Sequence, residues 1–566
     1  MHEDANLSPA EKQCTSDVLF TLLLALAGAL LSLGISGYVW GTNNSIFHLP
    51  ILAALYNEPQ FADDVYMQSL RYYASGFWIL LRGSANWLSP AVLFPVANVV
   101  SRLLVFWGFL ACAEVLGITR RRDRILFTLI LAGLRMLYGY AYAGDGGLFI
   151  NSFTQSEIAN GLSLLCLAAM ARRRVALALA LNGLVFFLNI FNAAWNFVPL
   201  ALIAVLLLRK DSRKAGILIR RVLPGAAVFL LFAAPGAANL LANPSFGRPV
   251  SFSYVRYLAE YWPMHFLFSF IPLKEKIKAI VLLLLATYLL AKNGAKARVF
   301  LLALAGYAAV FVFGIAVPHL TQSTLVLNLH LLRVTTFFHL LAALGAAALL
   351  VEWLKDADPL RSRVLAPFGF ALLCAPTVFV LFPVLAESGR LRFLAHGLRA
   401  LAGKLPTLAP ACALLCACAG VAVNVCAFSA ENRSERQQVA TYQQLGAWAR
   451  TTPDDTVFLL PTRGFYSRSA PQLPESFNDN SGIFEYTAHR QVWVDSKRGA
   501  AVMWYPPYYG TWHKRLSEVV SLATLGQKLA YAQQHGIGYV VDNCAPGRSA
   551  PAYSTATLCA YRVPAP

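Results

Sequence analysis

The chain reads as a polytopic α-helical membrane protein, with about 11–13 transmembrane helices and a small C-terminal α/β soluble domain. Three observations predict this. Hydrophobic residues make up 57% of the 566 residues and charged residues only 13%, about half of the roughly 25% that a soluble domain carries. Mean hydropathy is +0.55. The apolar residues fall in long runs, such as Val18 to Trp40 and Ile280 to Leu290, and about 20 apolar residues match the hydrocarbon thickness of a bilayer.

The pattern predicts spans near residues 18–40, 90–116, 125–143, 156–171, 175–191, 194–208, 216–241, 277–291, 298–317, 328–353, 364–386 and 407–428. The N-terminus is polar and lacks the basic region and cleavage site of a signal peptide, so the first run is expected as a retained helix entering from the cytoplasm. Basic clusters then alternate with the runs: Arg120 to Arg122 with Arg124; Arg172 to Arg174; Arg209 to Arg221; Lys292 to Arg298; and Lys355 to Arg363. From an inside N-terminus all of them fall on the cytoplasmic side, as the positive-inside rule requires. The net charge of +19 is therefore topological. Nucleic-acid binding would need one continuous basic face with aromatics.

Residues 364–386 contain Pro367, Pro376 and Pro383, so this run is expected as a re-entrant or broken element. If it does not cross, the basic segment Arg390, Arg392, Arg399 and Lys404 lies inside and the tail lies outside. A transmembrane domain over 1–429 and a periplasmic soluble domain over 430–566 follow. In the tail, a polar helix over 431–450 precedes strands at Thr456 to Leu460, Gln491 to Val494 and Gly538 to Val541, with a helix at Leu516 to His535. Cys544 and Cys559 can bridge if the tail faces an oxidising compartment. The other cysteines show no paired zinc spacing.

Two external segments are long, 41–89 and 242–276. The first carries an acidic pair, Asp63 and Asp64, followed by an aromatic amphipathic stretch from Tyr66 to Trp87 suited to the interface. Adjacent carboxylates serve as a general base or hold a divalent cation, the candidate cofactor here. Alternatively they solvate the loop or cap its helix. On the same side fall Asp145, Glu157, Arg256, His265, His330 and Arg333. Arginine suits phosphate through its planar fork, or else snorkels to the interface. In the tail, Arg490, Asp495 and Lys497 flank a short strand, ahead of the aromatic run Tyr505 to His513. Aromatics beside charges fit sugar recognition or lipid head groups. There is no P-loop, no nucleophile elbow, no His-Glu-x-x-His and no dinucleotide fingerprint.

The segment Phe61-Ala62-Asp63-Asp64-Val65-Tyr66 through Tyr73-Ala74-Ser75-Gly76-Phe77-Trp78, with Arg490 to Lys497, resembles uncharacterised bacterial members of the GT-C class of membrane glycosyltransferases. The resemblance covers most of the chain in architecture but only these segments in sequence. It implies transfer of a sugar from a polyprenyl-phosphate carrier to a lipid or glycan acceptor at the external face of the bacterial inner membrane. It further implies a catalytic or metal-holding carboxylate at Asp63 or Asp64, a second acid at Asp145 or Glu157, and phosphate-binding arginines at Arg256 and Arg333. The tail lacks the Trp-Trp-Asp motif of oligosaccharyltransferases, so transfer to asparagine is not implied. Two rival classes are a transporter or flippase, which would need mid-span charges such as Arg102 and Arg135, and a non-catalytic envelope assembly protein.

Overall fold

In a bilayer only a helix satisfies every backbone group of an isolated apolar run, and the runs fold accordingly. The structure, a computed structural model, describes residues 9–209, 215–374, 408–466, 481–544 and 550–564. Its helices in chain order are α1 (Pro9–Ser36), α2 (Ser45–Ala53), α3 (Val65–Ser69), α4 (Gly76–Leu80), α5 (Pro90–Leu116), α6 (Arg121–Gly133), α7 (Gln155–Ala171), α8 (Val175–Leu188), α9 (Ile190–Arg209) and α10 (Ala215–Ala242). They continue with α11 (Tyr254–Tyr261), α12 (Pro263–Phe266), α13 (Leu273–Lys292), α14 (Arg298–Leu320), α15 (Thr324–Leu327), α16 (Thr336–Lys355) and α17 (Ala366–Cys374).

Among the described residues, six segments are long and apolar enough to cross a membrane: Ser16–Ser36, Pro90–Leu116, Val222–Ala242, Gly294–Leu320, Thr324–Lys355 and Pro410–Ala449. Shorter helices complete the bundle by packing. α5 lies on α1 and α7, α8 on α10, α9 on α14, and α13 on α16. α16 is buried on every side and forms the centre. Where α5 meets α7 the backbones nearly touch: a Cβ on Gly161 would stand 2.6 Å from the Leu104 carbonyl carbon. Small residues at such crossings allow close helix packing without a hydrophobic drive. Buried amides bind the helices further, with Asn192 donating to Asn160 at 2.9 Å and Asn196 to Ser163 at 2.8 Å.

Two predicted spans end elsewhere. The run expected over 125–143 leaves the helix at Gly133, and the chain through Asn151 is irregular. Gly139 and Gly144 adopt φ of +92° and +74°, a region that ends helices. The last span does not stop near 428. It continues as one helix, α18 (Leu408–Ala449), into the tail, so the 429/430 boundary falls inside a helix. At about 1.5 Å per residue this helix reaches about 60 Å, roughly twice the hydrocarbon thickness. Whether the run at 364–386 crosses, and where Arg390 to Lys404 lies, fall outside the described residues.

The tail adds α19 (Ser481–Ala488), α20 (Tyr508–Val520), α21 (Leu525–Gln534) and strands β1 (Val457–Leu459), β2 (Gln491–Val492), β3 (Tyr539–Asn543), β4 (Tyr553–Ser554) and β5 (Leu558–Arg562). The sheet order is β2-β1-β3-β5-β4, with β1 parallel to β2 and β3, and β5 antiparallel to β3 and β4. The closing β4–β5 hairpin is not expected from the sequence, where Leu558–Arg562 shows no apolar alternation and β4 is only two residues long. Cys544 and Cys559 are disulfide-bonded, fastening the end of β3 to β5.

The tail shares its core with the loop over residues 41–89. Phe47, Tyr66, Leu70 and Trp78 are buried in one cluster with Ile483, Val492, Tyr508 and Trp512. The contact is tight: a Cβ on Gly482 would lie 2.3 Å from the Ile46 Cα.

Candidate functional site

The site grows from a glycine turn. Gly144-Asp145-Gly146 packs its backbone on the 3-10 turn Leu331–Thr335 that leads into α16. A Cβ on Gly144 would meet the Arg333 amide nitrogen at 2.4 Å, and Thr335 Oγ1 donates to the Ala143 carbonyl at 2.5 Å. Asp145 itself has φ of +47°, which aspartate tolerates better than most residues. The turn thereby brings a carboxylate beside a guanidinium: Arg333 Nε donates to the Gly144 carbonyl at 3.1 Å.

The segment over residues 242–276 supplies His265 from α12. Arg333 Nη2 lies 2.8 Å from His265 Nε2, and His265 Nδ1 lies 3.5 Å from Asp145 Oδ2. Burial, then the charge of Arg333, pushes His265 down to about 3, against the pull of Asp145. The ring is therefore neutral near pH 7. For Asp145, burial alone would raise the pKa. Interactions with His265, the charge of Arg333 and a hydrogen bond from Trp262 outweigh it and hold the carboxyl below its usual value. Asp145 is ionised, and its side chain is 31% exposed. His330 packs against Phe191 and Phe266, its ring centre 6.3 Å from that of His265.

The tail completes the cluster. Lys497 Nζ lies 5.8 Å from the Trp262 ring centre, within cation–π reach. Asp495 accepts the Lys497 backbone N–H at 2.7 Å at the start of the following 3-10 helix. The charge of Lys497 acts on both His265 and His48. His48, stacked on Trp78 at 3.8 Å and 3.4 Å from the Tyr73 hydroxyl, is pushed down to about 3, first by burial and then by Lys497. Tyr73 packs edge-on against Trp504, and the charge of Arg333 reaches its hydroxyl. On the other side, Tyr140 is 50% exposed, with Glu435, Asp145, Glu431 and Arg333 within electrostatic range. The arrangement sets one partly exposed carboxylate against Arg333, with Lys497 over the neighbouring Trp262 ring, at the N-terminal end of α16.

The remaining candidates lie elsewhere. Asp64 caps α3, accepting the Met67 N–H at 3.1 Å, and lies 3.6 Å from Arg498. Arg498 is itself paired with the fully buried Glu485 and lies over the Tyr66 ring. Asp63 is exposed. The acidic pair does not fit a divalent cation, because a buried guanidinium already occupies the Asp64 carboxylate. Among the described residues no three His, Cys, Asp or Glu side chains form a metal-holding group. Glu157 is buried against Arg102 at 2.5 Å. Arg256 is exposed and paired with Glu260 at 2.8 Å. Arg490 donates to the carbonyls of Arg450 and Thr452 and pairs with Asp454. Of the mid-span cations, Arg102 is closed on Glu157, and Arg135 donates to the Tyr138 carbonyl at 2.6 Å.

The sequence pattern does not mark Glu485 or Arg498. Glu485 stands alone in a mostly apolar stretch and Arg498 follows Asp495, Ser496 and Lys497; the two pair inside the tail, and the docking of tail on loop adds Asp64 to them. No family model matches the chain, and no curated protein matches it. Among solved structures the chain is similar to ArnT from Cupriavidus metallidurans bound to undecaprenyl phosphate, at 14% identity and TM-score 0.40, over 96% of this chain and 98% of that one. It is similar also to the apo state of ArnT from Cupriavidus metallidurans, at 12% identity and TM-score 0.39, over 97% of this chain and 98% of that one.

Proposed function

We propose that this chain is a glycosyltransferase that moves a sugar from a polyprenyl-phosphate carrier to a lipid or glycan acceptor at the external face of the bacterial inner membrane. The observation that carries this reading is the pairing of Asp145 and Arg333 beside His265 at the N-terminal end of α16, with Lys497 close by over Trp262. A phosphate on an isoprenoid tail needs cations where the bundle meets the head groups, and Arg333 supplies a planar fork there. A sugar needs aromatic faces, which Trp262 and Tyr140 offer. The Cys544–Cys559 bridge supports an external tail, since such bonds persist in oxidising compartments.

The acceptor hydroxyl oxygen attacks the anomeric carbon, and the new C–O bond forms as the bond to the phosphate oxygen breaks. The bonding pair leaves with the phosphate, whose charge Arg333 and Lys497 balance. The hydroxyl proton passes to Asp145, which is ionised and open to solvent. Attack opposite the leaving group inverts the anomeric centre. Asp64 suits this role less well, because its oxygens already serve Met67 and Arg498.

The test is reconstitution of the full chain in liposomes with radiolabelled polyprenyl-phosphate sugars and lipid-linked acceptors. The wild type should transfer label, and Asp145→Asn and Arg333→Met should not while still inserting and folding. Label movement across the bilayer without a new glycosidic bond would favour transport instead.

A further inference from the structure

The position of Arg333 decides where His265 keeps its proton. A guanidinium only donates hydrogen bonds, so His265 Nε2, 2.8 Å from Arg333 Nη2, must offer its lone pair. A neutral imidazole carries its single proton on the other nitrogen. That nitrogen, Nδ1, faces Asp145 Oδ2 at 3.5 Å. An imidazolium would set N–H against N–H at Arg333. The opposite tautomer would do so as well, and would also turn a lone pair on a carboxylate. The charged or titratable groups facing this ring are Arg333 from the turn before α16, Asp145 from the glycine turn, Lys497 from the tail and His330 beside it. The low basicity of His265 agrees with this geometry.

We infer that His265 is a positioning residue: a neutral ring with its proton on Nδ1 that ties the Arg333 guanidinium to the Asp145 turn. It accepts from Arg333 on one side and turns its Nδ1–H towards Asp145 Oδ2, 3.5 Å away, on the other. With the Gly144 carbonyl, it fixes two of the guanidinium's donors and leaves the rest of the fork for an anion. His265 neither binds the substrate nor exchanges protons with it. The inference deepens the transfer reading by dividing labour within the same cluster, and rests on that reading only for what Arg333 receives.

Nitrogen NMR of the full chain in lipid nanodiscs, with ¹⁵N-labelled histidine, tests the tautomer without any turnover. Besides His339, whose Nδ1 donates to the Met136 carbonyl, a second of the ten histidines should show a protonated Nδ1 and a bare Nε2, unchanged from about pH 8 to about pH 5, and this signal should vanish in His265→Gln. In Arg333→Met the Nε2 signal of one neutral histidine should move, which identifies the ring even if His265→Gln misfolds. A His265 ring protonated on Nε2, a ring that titrates in this range, or no response to Arg333→Met would overturn the inference. The second arm measures binding of a polyprenyl phosphate to the nanodiscs. His265→Gln keeps an acceptor for Arg333 and should stay near wild type, whereas His265→Leu should bind roughly ten-fold or more weakly. Equal losses in both would count against positioning. A correct tautomer in a protein that binds no polyprenyl phosphate would reject the transfer reading while upholding the role of His265.

Discussion

Arg498 of the tail lies 3.6 Å from Asp64 of the loop over residues 41–89, with both side chains almost wholly buried. Arg498 also pairs with Glu485, so one guanidinium holds two carboxylates. Its Nη1 donates to the Val492 carbonyl at 2.8 Å. Removing one member of a buried ion pair is costly because the other charge is stranded. Arg498→Met is therefore expected to destabilise the folded protein by about 3–5 kcal/mol. Thermal unfolding in detergent, followed by tryptophan fluorescence, checks this. An unchanged midpoint would mean that loop and tail are not coupled here.

Glu485 gives this coupling a pH signature. Burial pushes its carboxyl up to about 7, opposed by Arg498 and reinforced by the charge of Asp64. Between the ordinary 4.5 and about 7 the folded protein holds a proton that the unfolded chain lacks. By linkage, this group makes stability rise as pH falls through that window. His48 and His265 work the other way: both drop from 6.5 to about 3 when folded, so their neutral burial costs stability as pH falls below 6.5. The net profile mixes these effects, but the wild type minus Glu485→Gln difference isolates the acid. That difference should favour the wild type increasingly as pH drops from about 7 towards 4.5. A flat difference would mean that Glu485 is ionised throughout.

The glycine turn admits a sharper test. Gly144→Ala must place a Cβ 2.4 Å from the Arg333 backbone nitrogen, at a φ of +74°. The strain is of order 1–3 kcal/mol before any backbone shift, and relief requires the turn to lift from Arg333. Carrier binding in nanodiscs should fall by about ten-fold or more, as lost cluster geometry implies. Gly526→Ala, on an open part of α21 with only the Thr524 hydroxyl at 4.0 Å, serves as the control and should change little.

The disulfide should matter in proportion to the loop it closes. Cys544 and Cys559 are 15 residues apart, and a loop of that length corresponds to about 3 kcal/mol in the chain-entropy account. The double serine variant should unfold at lower temperature in non-reducing buffer. The wild type in strong reductant should approach it. Identical midpoints with and without reductant would show that the bridge does not contribute.

Much of the frame was legible, since apolar runs and basic clusters report a bilayer directly. The cluster of Asp145, His265 and Arg333 was legible as residue types on one side of the membrane, but not as a unit. Residues 145, 265 and 333 come from three separate segments, and only the Gly144 turn and the 3-10 turn before α16 bring them together. The acidic pair misled for a related reason. In sequence Asp63 and Asp64 look equivalent, yet Arg498, more than 400 residues away, engages only the second. The tail looked like an appended unit because β1, β2 and β3 have their own α/β pattern. The shared core with the first loop is invisible to such a pattern.

Three aspartates separate the two accounts of catalysis. If the acidic pair supplied the base, Asp63→Asn or Asp64→Asn would abolish transfer at unchanged stability. The geometry predicts otherwise. Asp63 is exposed, so Asp63→Asn should behave as wild type. Asp64→Asn keeps an oxygen for the Met67 N–H but loses its charge beside Arg498, so its unfolding midpoint should fall while the folded fraction still transfers sugar. Asp145→Asn removes the open carboxylate beside Arg333 while keeping its size and turn preference. It should fold normally and lose transfer by about 100-fold or more, the usual weight of a general base. The measurement is initial rate per folded protein in liposomes, with the folded fraction taken from monodisperse elution and fluorescence. Loss in Asp64→Asn with full activity in Asp145→Asn would return the base to the first loop. The reverse outcome assigns it to the glycine turn, and makes the aspartate–arginine pair of the first loop and tail the joint that holds the site together.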